Sequence, residues 1–307
     1  MPSLTDGESM FDYCSRLTTF ISDMPSLTDG YRMFDYCSRL TTFISDMPSL
    51  TNGSYMFYGC SNLTAFSSDS GGSPVNLSSL TDGSGMFLNC SQLTTFNSDM
   101  PSLTNGSYMF CGCSNLTAFS SDSGGSPVNL SSLTDGESMF LNCSQLTTFN
   151  SDIPSLTNGS YMFYSCKLDT ASVKNIAETI NTVTNKPSIH IGIGNTSPTA
   201  EENTYLTQIH NKGWQVYVGC NGGTSSEFIP TALTPIDGEE VTTPIPYWAK
   251  PQETDEEHAE YTDGNGKFYI ILGGNYIFVD DPETYGLFTS LEDAAANMRL
   301  TKIEKNN

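Results

Sequence analysis

Apolar residues recur in a fixed order through the first half of this chain. Phenylalanines stand at Phe11, Phe34, Phe57, Phe87, Phe110, Phe140 and Phe163, in steps of 23 or 30 residues. Each follows a methionine and precedes a cysteine by three positions, at Cys14, Cys37, Cys60, Cys90, Cys113, Cys143 and Cys166. A leucine and a second phenylalanine follow, as in Leu17-Thr-Thr-Phe20. The opening phrase MPSLTDGESMFDYCSRLTTFISD is repeated almost letter for letter by the next 23 residues. Residues 48–100 and 101–153 are 53-residue copies differing at four positions. The longer steps carry a seven-residue addition, visible within 70–77 and 123–130 when their flanks are aligned. Self-similarity at this period predicts a solenoid, in which short units bury their apolar edges by stacking.

Within a unit, SLTDG or SLTNG predicts a turn, with Asp6–Gly7 and Asn52–Gly53 supplying side-chain turn bonds and glycine freedom. The xMFxxC segment predicts a short turn, or one 3₁₀ or α turn, with Met, Phe and Cys inward. The segment around Phe20 predicts a strand of three or four residues, stacked in parallel on the next at about 4.8 Å. Leu17, Phe20 and Ser22 face inward on that reading, and Thr19, Ile21 and Asp23 outward. Prolines at 25, 48, 101 and 154 end the strands.

Equivalent positions lie above one another in a solenoid, so the seven repeat cysteines predict an interior column of reduced thiols, since Cys tolerates full burial. A straight line of thiols does not suit tetrahedral metal binding, and parallel side-chain vectors do not suit disulfides. Cys111 and Cys220 fall outside the column. The outward strand positions form the candidate binding face: Thr19, Ile21, Thr42, Ile44, Thr95, Asn97 and Asn150, beside a line of acids at Asp23, Asp46, Asp69, Asp99, Asp122 and Asp152. Two readings of that line stand. Each Asp caps the following turn by accepting backbone N–H bonds, or a cation such as calcium bridges successive carboxylates. Neither an EF-hand loop nor a GGxGxD nonapeptide is present, and no metal site is assigned.

Past Cys166 the pattern changes. Val173, Ile176, Ala177 and Ile180 recur at helical intervals, and PSIHIGIG follows as a strand with His190 opposite its isoleucines. A second helix is expected with Ser197 as N-cap, Pro198 at its first position and Gly213 as its stop, followed by the strand WQVYVG. Two such helix–strand units predict larger rungs that extend the sheet and cap its open end, with His190 and Tyr217 continuing the outward face. The expected organisation is therefore 1–169 short repeats, 170–221 capping units, 222–263 an acidic loop-rich linker, and 264–307 a small terminal domain. That last piece is read as strands Phe268–Leu272 and Tyr276–Val279 plus a helix capped by Ser290.

Composition narrows the function classes. The 34 acidic and 12 basic residues give a net charge of −22, a field that repels a phosphate backbone and argues against nucleic acid. No stretch reaches the roughly 20 apolar residues of a membrane span, so no membrane insertion is expected. The first residues lack the basic start and apolar core of a secretory signal. Three histidines, none in an H-E-x-x-H pair, and the lack of G-x-S-x-G or a phosphate-cradling loop leave an enzyme reading without residues. No cofactor is expected.

The phrases MFDYCSRL, MFYGCSNL, MFLNCSQL and MFCGCSNL resemble the BspA-like class of bacterial leucine-rich repeats, over residues 2–169. The resemblance implies an α/β fold class: a leucine-rich-repeat solenoid of short parallel strands and turn or 3₁₀ segments, capped by helix–strand units and a small α+β C-terminal domain. It implies a non-catalytic recognition or adhesion module at the cell surface or outside the cell, holding a protein or glycan. A structural virion component, such as a tail or fibre-associated protein of a gut bacteriophage with virion partners, is the alternative.

Overall fold

The computed structural model describes residues 1–120, 127–220, 222–230, 247–249, 268–272 and 275–279, and divides the chain into two compact units, Met1–Ile229 and Pro230–Asn307. Unit one is a stack of rungs. Each rung has a short-strand side and a side formed by the Met-Phe-x-x-Cys segment, with the core between them.

The short-strand side carries β1 (Thr19–Ile21), β2 (Thr42–Ile44) and β3 (Ala65–Ser67) in one parallel sheet. A second parallel sheet holds β4 (Thr95–Phe96), β5 (Ala118–Phe119) and β7 (Thr148–Phe149), and a third pairs β6 (Val128–Asn129) with β8 (Ser151–Asp152). Register is exact to the repeat: Thr19, Phe20 and Ile21 pair with Thr42, Phe43 and Ile44, and these with Ala65, Phe66 and Ser67.

The Met-Phe side is neither strand nor 3₁₀ helix in the first six rungs. Alternate amides reach the next rung, as in Gly30 N–H to Asn52 O (2.8 Å), Phe34 N–H to Met56 O (2.8 Å) and Tyr36 N–H to Tyr58 O (2.7 Å). The intervening amides turn back three residues, Met33 to Gly30 O (3.0 Å) and Cys37 to Phe34 O (3.1 Å). This alternation satisfies the backbone in both directions and requires two left-handed residues per rung, such as Arg32 (φ 51°) and Tyr36 (φ 50°). The position before cysteine is Gly59, Asn89, Gly112 or Asn142 in four rungs, residue types that tolerate this region.

Two phenylalanine columns fill the core. Phe11, Phe34, Phe57, Phe87, Phe110, Phe140 and Phe163 stack at 5.1–5.5 Å. Phe20, Phe43, Phe66, Phe96, Phe119 and Phe149 from the short strands meet them edge-on, for example Phe43 against Phe57 at 4.7 Å. The Asp–Gly and Asn–Gly turns form as expected, with Asp29 Oδ1 accepting from Tyr31 N–H and Asn52 Oδ1 from Ser54 N–H. The glycines serve space rather than backbone freedom. None of Gly7, Gly30 or Gly53 has a positive φ, and a Cβ on Gly7 would stand 2.7 Å from Met33 Sδ of the following rung.

The seventh rung opens into β9 (Gly159–Leu168), followed by α1 (Thr170–Thr179), β10 (Ser188–Ile193), α2 (Ala200–Asn211), β11 (Gln215–Cys220) and β12 (Ser225–Glu227). The sheet order is β12-β11-β10-β9, so β10 and β11 continue the Met-Phe side. Helix α1 takes the place of the next short strand: Ser172 Oγ accepts from Phe149 N–H (2.8 Å), and Asn175 Nδ2 donates to Ser151 O (2.8 Å). The N-cap of α2 is Thr199 rather than Ser197, because Thr199 and Glu202 form a reciprocal capping box two residues further on. Strand β12 pairs antiparallel with β11, so the segment expected as a linker from 222 begins as the sheet's last strand.

Unit two contains β13 (Tyr247–Ala249), β14 (Phe268–Leu272) and β15 (Asn275–Val279), antiparallel in the order β13-β15-β14. The expected helix at Ser290 and the acidic run containing His258 lie outside the described residues.

Candidate recognition faces

On the short-strand side, Thr19 and Ile21 are exposed on either side of buried Phe20, with Ile21 at 67 %. Thr42 and Ile44 are half-buried beside Phe43, Thr95 is exposed, and Asn97 and Asn150 are half-buried. The side presents small polar groups, and the threonines that precede its strands hydrogen-bond between rungs. Thr41 Oγ1 donates to Thr18 O (3.0 Å), and Thr64 Oγ1 to Thr41 O (3.1 Å).

The acidic line is shorter than the sequence suggests. Asp23 Oδ1 accepts the backbone N–H of Asp46 (3.2 Å), Asp46 Oδ1 that of Asn76 (2.8 Å), and Asp99 Oδ1 that of Asn129 (2.9 Å). Asn129 also pairs with Asp152 in the ladder. Asn76 and Asn129 therefore occupy the column in the long rungs, and Asp69 does not. It heads the added loop instead, accepting from Gly71 N–H, Ser73 N–H and the Ser73 hydroxyl. The Ser73 hydroxyl, with these amides, holds the Asp69 carboxyl below its usual range. Asp122 lies outside the described residues. The text Ser-Asp occurs both before the added residues and at the column, which is why the register was not readable there.

These carboxylates are hydrogen-bond acceptors between rungs. Asp46→Ala should cost about 1 kcal/mol by leaving the Asn76 amide without its partner. Asp46→Asn should cost less, since Asn already fills the position two rungs out of six. Urea titration of both variants checks this, and calcium should not restore the alanine variant.

Cys37, Cys60, Cys90, Cys113, Cys143 and Cys166 are buried, and each Sγ donates to the phenylalanine carbonyl of the preceding rung. The distances are 3.1–3.2 Å. Burial pushes the Cys37 thiol up to about 12 and raises the five later ones further from reactivity. Cys14 departs from the expected column because it is exposed: among the described residues its rung has a neighbour on one side only.

His190 and Tyr217 are not on the short-strand side. They belong to β10 and β11, and His190 is buried at 7 % exposure between the rings of Tyr161 (4.2 Å) and Tyr217 (4.6 Å). Its Nδ1 accepts the Tyr161 N–H (2.9 Å), and burial lowers its pKa, so the ring is a neutral spacer in an aromatic stack.

That stack points to a surface the sequence did not single out. Among the described residues the most exposed tyrosines, Tyr13 (66 %), Tyr161 (49 %), Tyr36 (37 %) and Tyr108 (37 %), all come from the Met-Phe side. At one end Tyr13 stacks on Tyr36 (5.0 Å), Tyr36 Oη bonds Tyr58 Oη (2.8 Å), and the Arg32 guanidinium lies over Tyr31 and Tyr55. Asp12 and Asp35 sit beneath, in the column that Leu88, Cys111 and Leu141 fill later, each with a buried Oδ1 lacking a hydrogen-bond partner. Burial raises the Asp35 carboxyl, Asp12 adds to that, and Arg32 opposes it. At the other end stand Tyr161, Tyr164, His190 and Tyr217.

A sequence profile described as BspA type leucine rich repeat region, in six copies, matches residues 5–117 and 74–189. The chain belongs to the BspA-type leucine-rich repeat family. The BspA-type region reaches past the short rungs to β10, in line with the cap stacking as further rungs. No curated protein and no solved structure matches the chain. BspA-type repeats are non-catalytic recognition modules, and among the described residues no group of three or more His, Cys, Asp or Glu side chains is placed to hold a metal ion. Among the same residues no helix is long and apolar enough to cross a membrane.

Proposed function

We propose that this chain is a recognition module that holds a macromolecular partner, protein or glycan, against the Met-Phe side of its solenoid. The observation that carries the reading is the gathering of exposed tyrosines, with Arg32, on that one side. Tyr and Arg combine large contact area with polar tips and dominate binding energy at interfaces. Repeat stacking gathers them on one surface. The short-strand side offers threonine, alanine and serine, with larger apolar groups at Ile21 and Ile44.

Binding of the labelled full chain to arrays of immobilised surface proteins and glycans tests this. Tyr36→Ser with Tyr161→Ser should weaken capture by at least tenfold, while Thr19→Ala with Thr95→Ala leaves it within twofold. The reverse ranking would move recognition to the short strands.

A further inference from the structure

The residue before each repeat methionine occupies one column of the Met-Phe side: Ser9, Arg32, Tyr55, Gly85, Tyr108, Ser138, Tyr161. Each is left-handed, and Tyr55, Tyr108 and Tyr161 have φ of 56°, 57° and 56°. A common backbone angle in a stacked repeat aims their Cα–Cβ bonds alike. The angle belongs to every rung and follows from the alternating bond pattern, so it sets the direction of the column and leaves the choice of side chain open.

The tyrosines occupy alternate rungs, and the rungs between carry Gly85 and Ser138. The small residues make room: a Cβ on Gly85 would stand 2.6 Å from the Tyr55 ring, and Tyr108 Oη reaches Glu137 Oε1 at 3.2 Å on the next rung. Rungs joined by backbone hydrogen bonds at about 4.8 Å put every second rung roughly 10 Å apart. Exposed Asn89 and Asn142 repeat at the same interval on the intervening rungs.

We propose that this column binds a neutral, extended β-1,4-linked glycan lying along the solenoid axis. In such a chain each sugar is inverted relative to the last, so the same C–H face returns every second residue, and two sugars span two rungs. Tyr55 and Tyr108 then meet the same face of two sugars separated by one residue, with the Asn89 amide meeting hydroxyls between them, while Tyr161, stacked on His190 at 4.2 Å, closes the column. The net charge of −22 selects against an anionic polysaccharide. The inference rests on the Met-Phe side being the recognition surface and adds the ligand class.

Isothermal titration of the full chain with cellohexaose, chitohexaose and, as a curved α-linked control, maltohexaose tests it. One or both β-linked hexamers should bind, their disaccharides at least tenfold more weakly and maltohexaose not at all. Tyr108→Ser should reduce affinity at least tenfold with an unchanged melting curve, because Ser138 already holds the same column position. No binding of either β-linked hexamer, or binding indifferent to Tyr108→Ser, overturns the inference. Loss of protein capture in the tyrosine variants without any hexamer binding would discard the glycan and keep the recognition side. Hexamer binding that is lost on Thr95→Ala instead would discard both.

Discussion

Phe87→Ala should destabilise the solenoid by about 3–5 kcal/mol, at the upper end of what a large-to-small core change costs. The ring is fully buried, stacked 5.4 Å from Phe57 and 5.3 Å from Phe110, with edge contacts to Phe66 (4.9 Å) and Phe96 (5.6 Å). Collapse around the lost ring is blocked because backbone bonds set the rung spacing: Phe57 N–H to Met86 O and Phe87 N–H to Met109 O are both 2.8 Å. Each rung contacts its neighbours alone, so damage in the middle uncouples the stack on either side. Phe11→Ala, in the half-buried first rung, should cost much less. Urea unfolding followed by circular dichroism ranks the two, and equal losses would mean the rungs are not stacked as described.

Gly192→Ala should be strongly damaging at the joint between the short rungs and the cap. A Cβ there would meet the carbonyl oxygens of Cys166 and Phe163 at 2.6 Å and the Cys166 nitrogen at 2.7 Å. All three are backbone atoms of β9, where the register shifts between Ile189, Ile191 and Ile193. Neither strand can yield without losing the pairing that joins the short rungs to β10. The loss should be about 3 kcal/mol, the upper end for overpacking. Hydrogen exchange should show β10, α2 and β11 opening before the short rungs. Gly194→Ala is the internal control, since its nearest neighbour would be Lys167 O at 3.3 Å. A Gly192→Ala chain that melts with the wild type would refute the joint.

The repeat order was legible because every copy places the same side chain in the same surroundings, so a single phrase such as MFDYCSRLTTF specifies core, turn and strand together. The cysteine column and the Asx turns follow from that. The proposed recognition side did not emerge, for a physical reason. A rung has two outward surfaces, and the Met-Phe segment looks like a turn until its alternating bond pattern is seen. Its tyrosines are scattered among Ser9, Arg32, Gly85 and Ser138, so no column stands out in text. Gly59, Asn89, Gly112 and Asn142 before the cysteines were the available signal of left-handed backbone. The same ambiguity put His190 and Tyr217 on the wrong side, since alternation along a strand says which residues oppose the core but not which surface of the rung they continue.

Native iodoacetamide labelling with peptide mass spectrometry reads the rung stack most directly. Cys14 should be modified first and Cys220 more slowly, while Cys37, Cys60, Cys90, Cys113, Cys143 and Cys166 stay protected until denaturant unfolds the chain. Modification of those six at the Cys14 rate, in a chain that still melts cooperatively, would contradict an interior column and the stacking that creates it.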